Sequence, residues 1–290
     1  MPFHEIPAAA AGTVTFGGEL TVHRMGYGAM RLSGPNIWGE LKDANAAHSL
    51  LRRALELGVN FIDTADSYGP ETNERIIAAA LHPYPKGLVI ATKGGLRRPS
   101  PERWERDARP RHLRLACEAS LRRLKLERID LYQLHAPDPK VPLEDSVGEL
   151  VRLQSEGKIR FIGVSNVNLD ELRRAQHVAR IVSVQNRYNS GYRAHEEVLT
   201  HCEHEGIVFI PWDPIGAARD ATSGTPRDSG PTPITRMQET TASQAAIAWL
   251  LARSPAILPI PGTASIPHLE ENIAAAAVHE LRQSHPRIRT

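Results

Sequence analysis

Asn45-Ala46-Ala47-His48-Ser49-Leu50-Leu51-Arg52-Arg53-Ala54-Leu55-Glu56-Leu57-Gly58-Val59-Asn60-Phe61-Ile62 carries the fold's repeating grammar in one line. Over Asn45 to Leu57 the residues Leu50, Leu51, Ala54 and Leu55 fall on one helical stripe, and Gly58 stands where a helix needs a left-handed stop. A strand begins at once with Val59. The same order recurs at Val147 to Glu156, where Gly157 precedes Ile159 to Val164, and at Glu196 to Glu205, where Gly206 precedes Ile207 to Ile210. Helix, glycine, strand is the unit.

Short apolar runs give strand candidates at Met25 to Met30, Phe61, Val89 to Thr92, Asp130 to Leu134, Phe161 to Val164, Ile181 to Val184, Val208 to Ile210 and Ala256 to Ile260. Buried runs alternating with amphipathic helices call for parallel strands joined by crossovers, and eight of them predict an α/β fold, a closed (β/α)8 TIM barrel. An open doubly wound sheet competes. It needs a glycine-rich turn after its first strand, and Gly26-Tyr27-Gly28-Ala29-Met30-Arg31 lacks the third glycine, with no helix start behind it. Ahead of the first unit, Thr13 to Phe16, Gly17-Gly18 and Leu20 to Val22 read as an N-terminal β-hairpin that plugs the barrel's amino-terminal end. One barrel domain is expected over residues 1–290.

With 41% hydrophobic and 23% charged residues in 290, the chain can bury a large core. Its formal net charge is +2 and its basic residues are dispersed, so no nucleic-acid footprint follows. Cys117 and Cys202 are too few for a disulfide scaffold, which fits a reducing cytoplasm. Met1 to Ala11 has neither early positive charge nor a long apolar core, and no run of roughly 18 apolar residues occurs, so neither targeting nor a membrane span is expected. His195, His201, Cys202 and His204 share one predicted helix and its flank without a ligand from another strand; no metal is expected there. Two stretches break the rhythm, Gly94 to Pro110 and Gly216 to Pro233. Both leave strand carboxyl ends and read as loops over a site.

The polar residues ending the strands carry the chemistry. Asp63 ends the second strand, Lys93 the third, His135 the fourth, Ser165 and Asn166 the fifth, Gln185 the sixth and Trp212 the seventh, with Tyr68 five residues past Asp63. On a barrel these face one pocket. A free phenol titrates near about pH 10, and an adjacent Lys93 ammonium is expected to lower that value. Asp63 would hold the ammonium and His135 would orient a substrate oxygen by donating to it. Such a group delivers a proton to an oxygen that becomes an alcohol. No activated serine or cysteine and no HExxH sequence supports acyl transfer or zinc hydrolysis.

Phe61-Ile62-Asp63-Thr64-Ala65-Asp66-Ser67-Tyr68-Gly69, Ala91-Thr92-Lys93, Asp130-Leu131-Tyr132-Gln133-Leu134-His135, Gly157-Lys158-Ile159-Arg160, Gly163-Val164-Ser165-Asn166 and Gln185-Asn186-Arg187-Tyr188-Asn189 together resemble the aldo-keto reductases. The resemblance runs from about Met25 to about Ala277. It implies a catalytic tetrad of Asp63, Tyr68, Lys93 and His135, with Tyr68 as general acid in NADPH-dependent reduction of an aldehyde or ketone. It implies NADPH bound in extended form, with Ser165, Asn166 and Gln185 on the nicotinamide carboxamide and Trp212 stacked on its ring. It implies further cofactor contacts at Gly28, Ala29, Met30, Asp63, Asp213, Pro214, Ile215, Gly216 and Ile260. The adenosine end falls to Pro261, Gly262, Thr263, Ser265, His268, Glu271 and Asn272. Thr263 and Ser265 offer hydroxyls beside a helix amino terminus, so NADPH is expected ahead of NADH, although His268 departs from the arginine that many members have there.

Met30, Trp38, Tyr68, Trp104 and His135 are the expected substrate contacts, in a mouth widened by Gly95 and Ala136. A small carbonyl compound is the expected partner, without nucleic acid or membrane, and a monomer is the family's usual state. A second reading keeps the fold as an NADPH-binding, redox-sensing regulatory subunit; an intact proton donor argues against it.

Overall fold

The computed structural model describes residues 8–41, 43–216 and 240–284, and side chains as far as residue 278. After a 3₁₀ turn at Ala8–Ala11, β1 (Thr13–Phe16) and β2 (Leu20–His23) form an antiparallel hairpin. Then come β3 (Tyr27–Gly28), 3₁₀ turns at Ala29–Leu32 and Pro35–Ile37, α1 (Ala44–Glu56), β4 (Phe61–Asp63), α2 (Thr72–Leu81) and β5 (Val89–Gly94). A second hairpin, β6 (Leu96–Ser100) and β7 (Arg103–Arg106), precedes α3 (Pro110–Leu124), β8 (Ile129–Leu134), α4 (Leu143–Ser155) and β9 (Ile159–Ser165). The remainder is α5 (Leu169–Val178), β10 (Ile181–Gln185), α6 (Glu196–Glu205), β11 (Val208–Phe209), α7 (Ala242–Arg253) and α8 (Ile266–Ser284). Gly58, Gly157 and Gly206 all stand at positive φ (82°, 75° and 66°), the left-handed stop that their places after α1, α4 and α6 require.

Seven strands form one parallel sheet in the order β3-β4-β5-β8-β9-β10-β11. The predicted eighth strand, Ala256 to Ile260, is not a regular strand, because Pro255, Pro259 and Pro261 have no N–H to give a ladder. It closes the barrel nonetheless. Phe209 N donates to Ala256 O (2.9 Å) and Leu258 N to Phe209 O (2.9 Å), while on the other side Gly26 N donates to Pro259 O (3.0 Å). Buried Arg24 reinforces this seam, donating to the carbonyls of Ile257 (3.1 Å), Leu251 (3.0 Å) and Ser254 (2.6 Å). Burial pushes its guanidinium down to about 10. We expect Arg24→Leu to lose about 2–4 kcal/mol of stability, since three carbonyls lose a charged donor at once. Urea unfolding checks this; a loss below about 0.5 kcal/mol would mean that the main-chain bonds alone hold the seam.

The hairpin β1–β2 plugs one end. Val14, Phe16 and Val22 pack into a cluster with Phe61, Val89, Leu131, Phe161, Val208 and Leu258, and Phe16 stacks on Phe61 with centroids 5.4 Å apart. Asp63 lies two residues past Phe61, so it projects on the same inward side, nearer the open end. Two further clusters join the sheet to its helices.

Two local readings need correction. The first strand shrinks to Tyr27–Gly28 with a 3₁₀ turn directly behind it, where no helical start was expected. Gly94 to Pro110 is no plain loop: its middle is the hairpin β6–β7. Of Gly216 to Pro233, only Gly216 lies among the described residues. No helix among the described residues is long and apolar enough to cross a membrane.

Candidate active site

Asp63 and Lys93 from β4 and β5, His135 just past β8, and Tyr68 from the β4–α2 connection meet at the open end of the barrel. Lys93 is fully buried. Its Nζ donates to Asp63 Oδ2 (2.7 Å) and Thr64 O (2.9 Å), and lies 3.5 Å from the Tyr68 hydroxyl. The Tyr68 ring stands edge-on to His135, centroids 5.8 Å apart. His135 Nδ1 is 3.4 Å from Ser67 Oγ. Buried Asn73 fixes the connection that carries Tyr68: it accepts from Thr64 Oγ1 (2.6 Å) and donates to Ala29 O (2.8 Å) and Ser33 Oγ (3.1 Å).

The charge states follow from burial and neighbours. Burial works against the Lys93 ammonium, but Asp63 and Tyr68 together outweigh it and lift its pKa above the ordinary value. His135 is held well below the usual imidazole range, first by burial and then by Lys93, so it is neutral at pH 7. The phenol corrects an expectation. Burial raises its pKa, and Lys93 only partly offsets that, so Tyr68 keeps its proton more firmly than a free tyrosine. Proximity of an ammonium was legible in sequence; the depth of the site was not.

Gln185, expected on the nicotinamide carboxamide, lines the cavity and also braces the tetrad. Its Nε2 donates to Asp63 Oδ1 (2.9 Å), where Gln133 Nε2 arrives as well (3.3 Å), so the two amides hold the carboxylate that holds Lys93. Gln133 was overlooked, although it stands in β8 two residues before His135. Ser165 Oγ donates to Gln185 O (2.6 Å). Asn166, at φ 59°, donates from Nδ2 to His135 O (2.9 Å) and Ser165 Oγ (3.0 Å), and its Oδ1 accepts from Trp212 Nε1 (3.0 Å). The indole is thereby tied by its nitrogen and still 37% exposed, an apolar plate beside the tetrad. Asp213, at φ 56°, is paired with Arg187 (2.9 Å).

A cavity of about 530 Å³ opens here. Gly28, Met30, Asp63, Tyr68, Trp104, His135, Ser165, Asn166, Gln185, Trp212, Asp213, Pro214, Ile260 and Gly262 line it, as does Arg31, which the sequence reading missed. Arg31 is the one cationic side chain among them. The remaining expected residues lie elsewhere. Lys93 is behind Asp63 and Tyr68, Ala29 is buried with its carbonyl on Asn73, and Trp38, Ile215, Gly216 and Pro261 are off the cavity wall. Thr263 and Ser265 lie at the amino end of α8, where Thr263 Oγ1 accepts from Ser265 N (3.0 Å) and Thr263 O from Tyr27 OH (2.6 Å). His268 on α8 is exposed, Asn272 is buried, and Glu271 accepts from Thr241 Oγ1.

The wall suits a long, flat, anionic ligand. A side chain at Gly28 would strike Ile260 O at 2.6 Å, and one at Gly262 would strike Gly28 O at 2.7 Å, so main chain forms the floor between the first and eighth segments. Arg31 lies against that floor, its Cγ 3.6 Å from where a side chain at Gly262 would begin, and Gly262 directly precedes the hydroxyls at the start of α8, where a helix dipole favours phosphate.

Residues 24–288 match the model of the aldo/keto reductase family. An uncharacterised oxidoreductase of Schizosaccharomyces pombe is 47% identical over 273 residues, 94% of this chain and 87% of that protein. The pyridoxine 4-dehydrogenase of Escherichia coli is 40% identical over 277 residues, 93% of this chain and 94% of that one. Among solved structures, an aldo-keto reductase from Klebsiella pneumoniae in complex with NADPH superposes with a TM-score of 0.74 at 26% identity, covering 94% of this chain and 95% of the other.

Proposed function

The chain belongs to the aldo/keto reductase family, and on that premise we propose that it reduces aldehyde or ketone carbonyls with NADPH, Tyr68 acting as general acid. The observation that carries this reading is the buried Asp63–Lys93–Tyr68 line, 2.7 Å and 3.5 Å, ending on a phenol that faces the cavity beside a neutral imidazole. Trp212 and Asn166 would hold the nicotinamide end, the floor of Gly28 and Gly262 with Arg31 the pyrophosphate, and Thr263, Ser265 and His268 the adenosine end. When bound, NADPH supplies the hydride.

What the chain supplies is the proton and its direction. The substrate oxygen accepts from the Tyr68 hydroxyl and from His135, and as negative charge gathers on it the phenol gives up its proton. Lys93 stabilises the phenolate left behind, and Asp63, braced by Gln133 and Gln185, keeps the ammonium aimed. The tetrad touches only the reacting oxygen, so it does not select the rest of the substrate. The similarity to pyridoxine 4-dehydrogenase makes an aldehyde on a substituted pyridine the first compound to assay, with NADPH and then with NADH. Loss of NADPH absorbance with carbonyl present supports the reading. Tight nucleotide retention without turnover across a carbonyl panel sinks it and favours the regulatory one.

The pH profile gives a second check. Because the Tyr68 pKa lies above its ordinary value, the proton donor stays loaded through neutral and mildly alkaline pH. Because that of His135 lies well below its ordinary value, the imidazole does not charge there. Reduction should be level from about pH 6 to about pH 9 and decline only beyond about pH 10. An inflection near pH 6.5 in kcat/KM would contradict the neutral imidazole.

A further inference from the structure

Arg98, in β6, is buried to 6% exposure, yet every hydrogen bond the structure gives it ends on a main-chain carbonyl: Asn36 (2.9 Å), Ile37 (3.3 Å), Pro101 (2.6 Å) and Ser100 (3.5 Å). Its guanidinium carbon lies 3.9 Å from the Trp104 ring centroid and 5.6 Å from that of Trp38. Among the described residues no carboxylate lies within ion-pair distance of it, and Glu102 acts on it only through space, so, as at Arg24, main-chain carbonyls meet the cost of burying the charge. What sets Arg98 apart is where those carbonyls sit and the indole it lies on.

Its partners are informative. Asn36 and Ile37 both have left-handed backbone, φ 55° and 58°, a conformation that a β-branched isoleucine resists. Their carbonyls are the two that Arg98 holds across from its own strand. Ile37 O also accepts from Gly69 N (3.2 Å), and Gly39 N donates to Gly69 O (2.8 Å), so the 36–39 segment is bonded to the residue after Tyr68. On its other side Arg98 lies against Trp104, which lines the cavity and is 41% exposed. Of the three exposed large hydrophobic side chains among the described residues, two, Trp104 and Trp212, line this one mouth.

We propose that Arg98 is a specificity-determining positioning residue: lying against Trp104 and bonded to the strained 36–37 carbonyls, it fixes an indole wall at a set place relative to Tyr68 and makes the mouth a preformed slot for a flat, ring-bearing carbonyl substrate. Arg98 does not reach the cavity itself and acts through Trp104 and the 36–39 segment. The inference rests on the carbonyl-reductase reading above.

The test compares kcat and KM for benzaldehyde and butanal, with NADPH, in the wild type and in Arg98→Ala, Arg98→Lys and Trp104→Ala. We expect the benzaldehyde-to-butanal ratio of kcat/KM to fall about tenfold in Arg98→Ala and Trp104→Ala, the change residing in KM, as for loss of one stacking wall. Arg98→Lys keeps the charge but cannot lie flat on an indole, so it should fall between wild type and Arg98→Ala. Arg98→Ala combined with Trp104→Ala should be no worse than Trp104→Ala alone, because one wall is lost once. If Arg98→Ala does not fold, Arg98→Lys and Trp104→Ala carry the same comparison. An unaltered ratio in the variants that fold, or a loss confined to kcat, overturns the positioning role while the wild type still turns over. A wild type that oxidises NADPH with neither aldehyde nor with any other carbonyl removes the reductase reading and this inference with it.

Discussion

Tyr68→Phe should lower kcat for aldehyde reduction by about a thousandfold, in the middle of the range for loss of a positioned general acid, while the Kd for NADPH moves by less than about threefold. The substitution deletes one oxygen and keeps the ring. The edge-on packing against His135 survives it, and so does the 5.1 Å approach of Lys93 Nζ to the ring centroid. Folding and nucleotide binding therefore have little to lose, and the missing hydroxyl is felt only where a proton must move. Neutral His135 could still donate one hydrogen bond to the carbonyl, which leaves a residual rate. Single-turnover measurement with nucleotide binding followed by fluorescence separates the two effects. A variant that keeps more than about a tenth of wild-type kcat would take the acid's role away from Tyr68.

Lys93→Met should be as damaging to turnover and far more damaging to the fold. Lys93 is wholly buried and bridges Asp63, the Thr64 carbonyl and Tyr68. Methionine fills comparable space but leaves a buried carboxylate whose remaining donors are the two amides of Gln133 and Gln185. Breaking a buried pair from one side costs about 3–5 kcal/mol, and the phenol, already hard to ionise through burial, loses the one neighbour that eases proton release. We expect a fall in stability of that size by urea unfolding, with kcat reduced about a thousandfold or more in the fraction that folds. Asp63→Asn with Lys93→Met should recover part of the stability and none of the rate. Unchanged stability in Lys93→Met would show that the two amides suffice to hold the carboxylate.

Much of the fold was legible because its signals are local. A helix ending on Gly58, Gly157 or Gly206 needs a left-handed residue at that position whatever surrounds it, and the apolar runs of β5, β8, β9 and β10 announce strands covered on both faces. The eighth segment was recognised as a barrel stave but not as an irregular one. Its prolines were visible in the sequence, but what they withhold matters only once both neighbours are known. The hairpin β6–β7 escaped notice because its residues, rich in arginine and proline, lack the alternating apolar pattern of a half-buried strand. At the site, the identities at the strand ends were legible and the partners were not. That Gln185 reaches Asp63, that Gln133 joins it, and that Asn166 spans His135 and Trp212 are consequences of barrel curvature, which brings together residues 31 to 122 positions apart. Arg31 and Arg98 carry no motif at all, and only their surroundings single them out.

The proline-rich stave between Phe209 and Gly26 gives the cylinder a built-in weak joint. Few main-chain bonds cross it, whereas β8 and β9 share a full ladder, so thermal opening should begin there, and amides at Gly26 and Leu258 should exchange with solvent sooner than those of Tyr132 or Ile162. The stretch directly beyond that joint, Pro261 to Ser265, includes the hydroxyls we propose for the adenosine half of the nucleotide. A ligand gripping it would act as a hoop, and the same molecule that delivers the hydride would tighten the vessel around its own reaction.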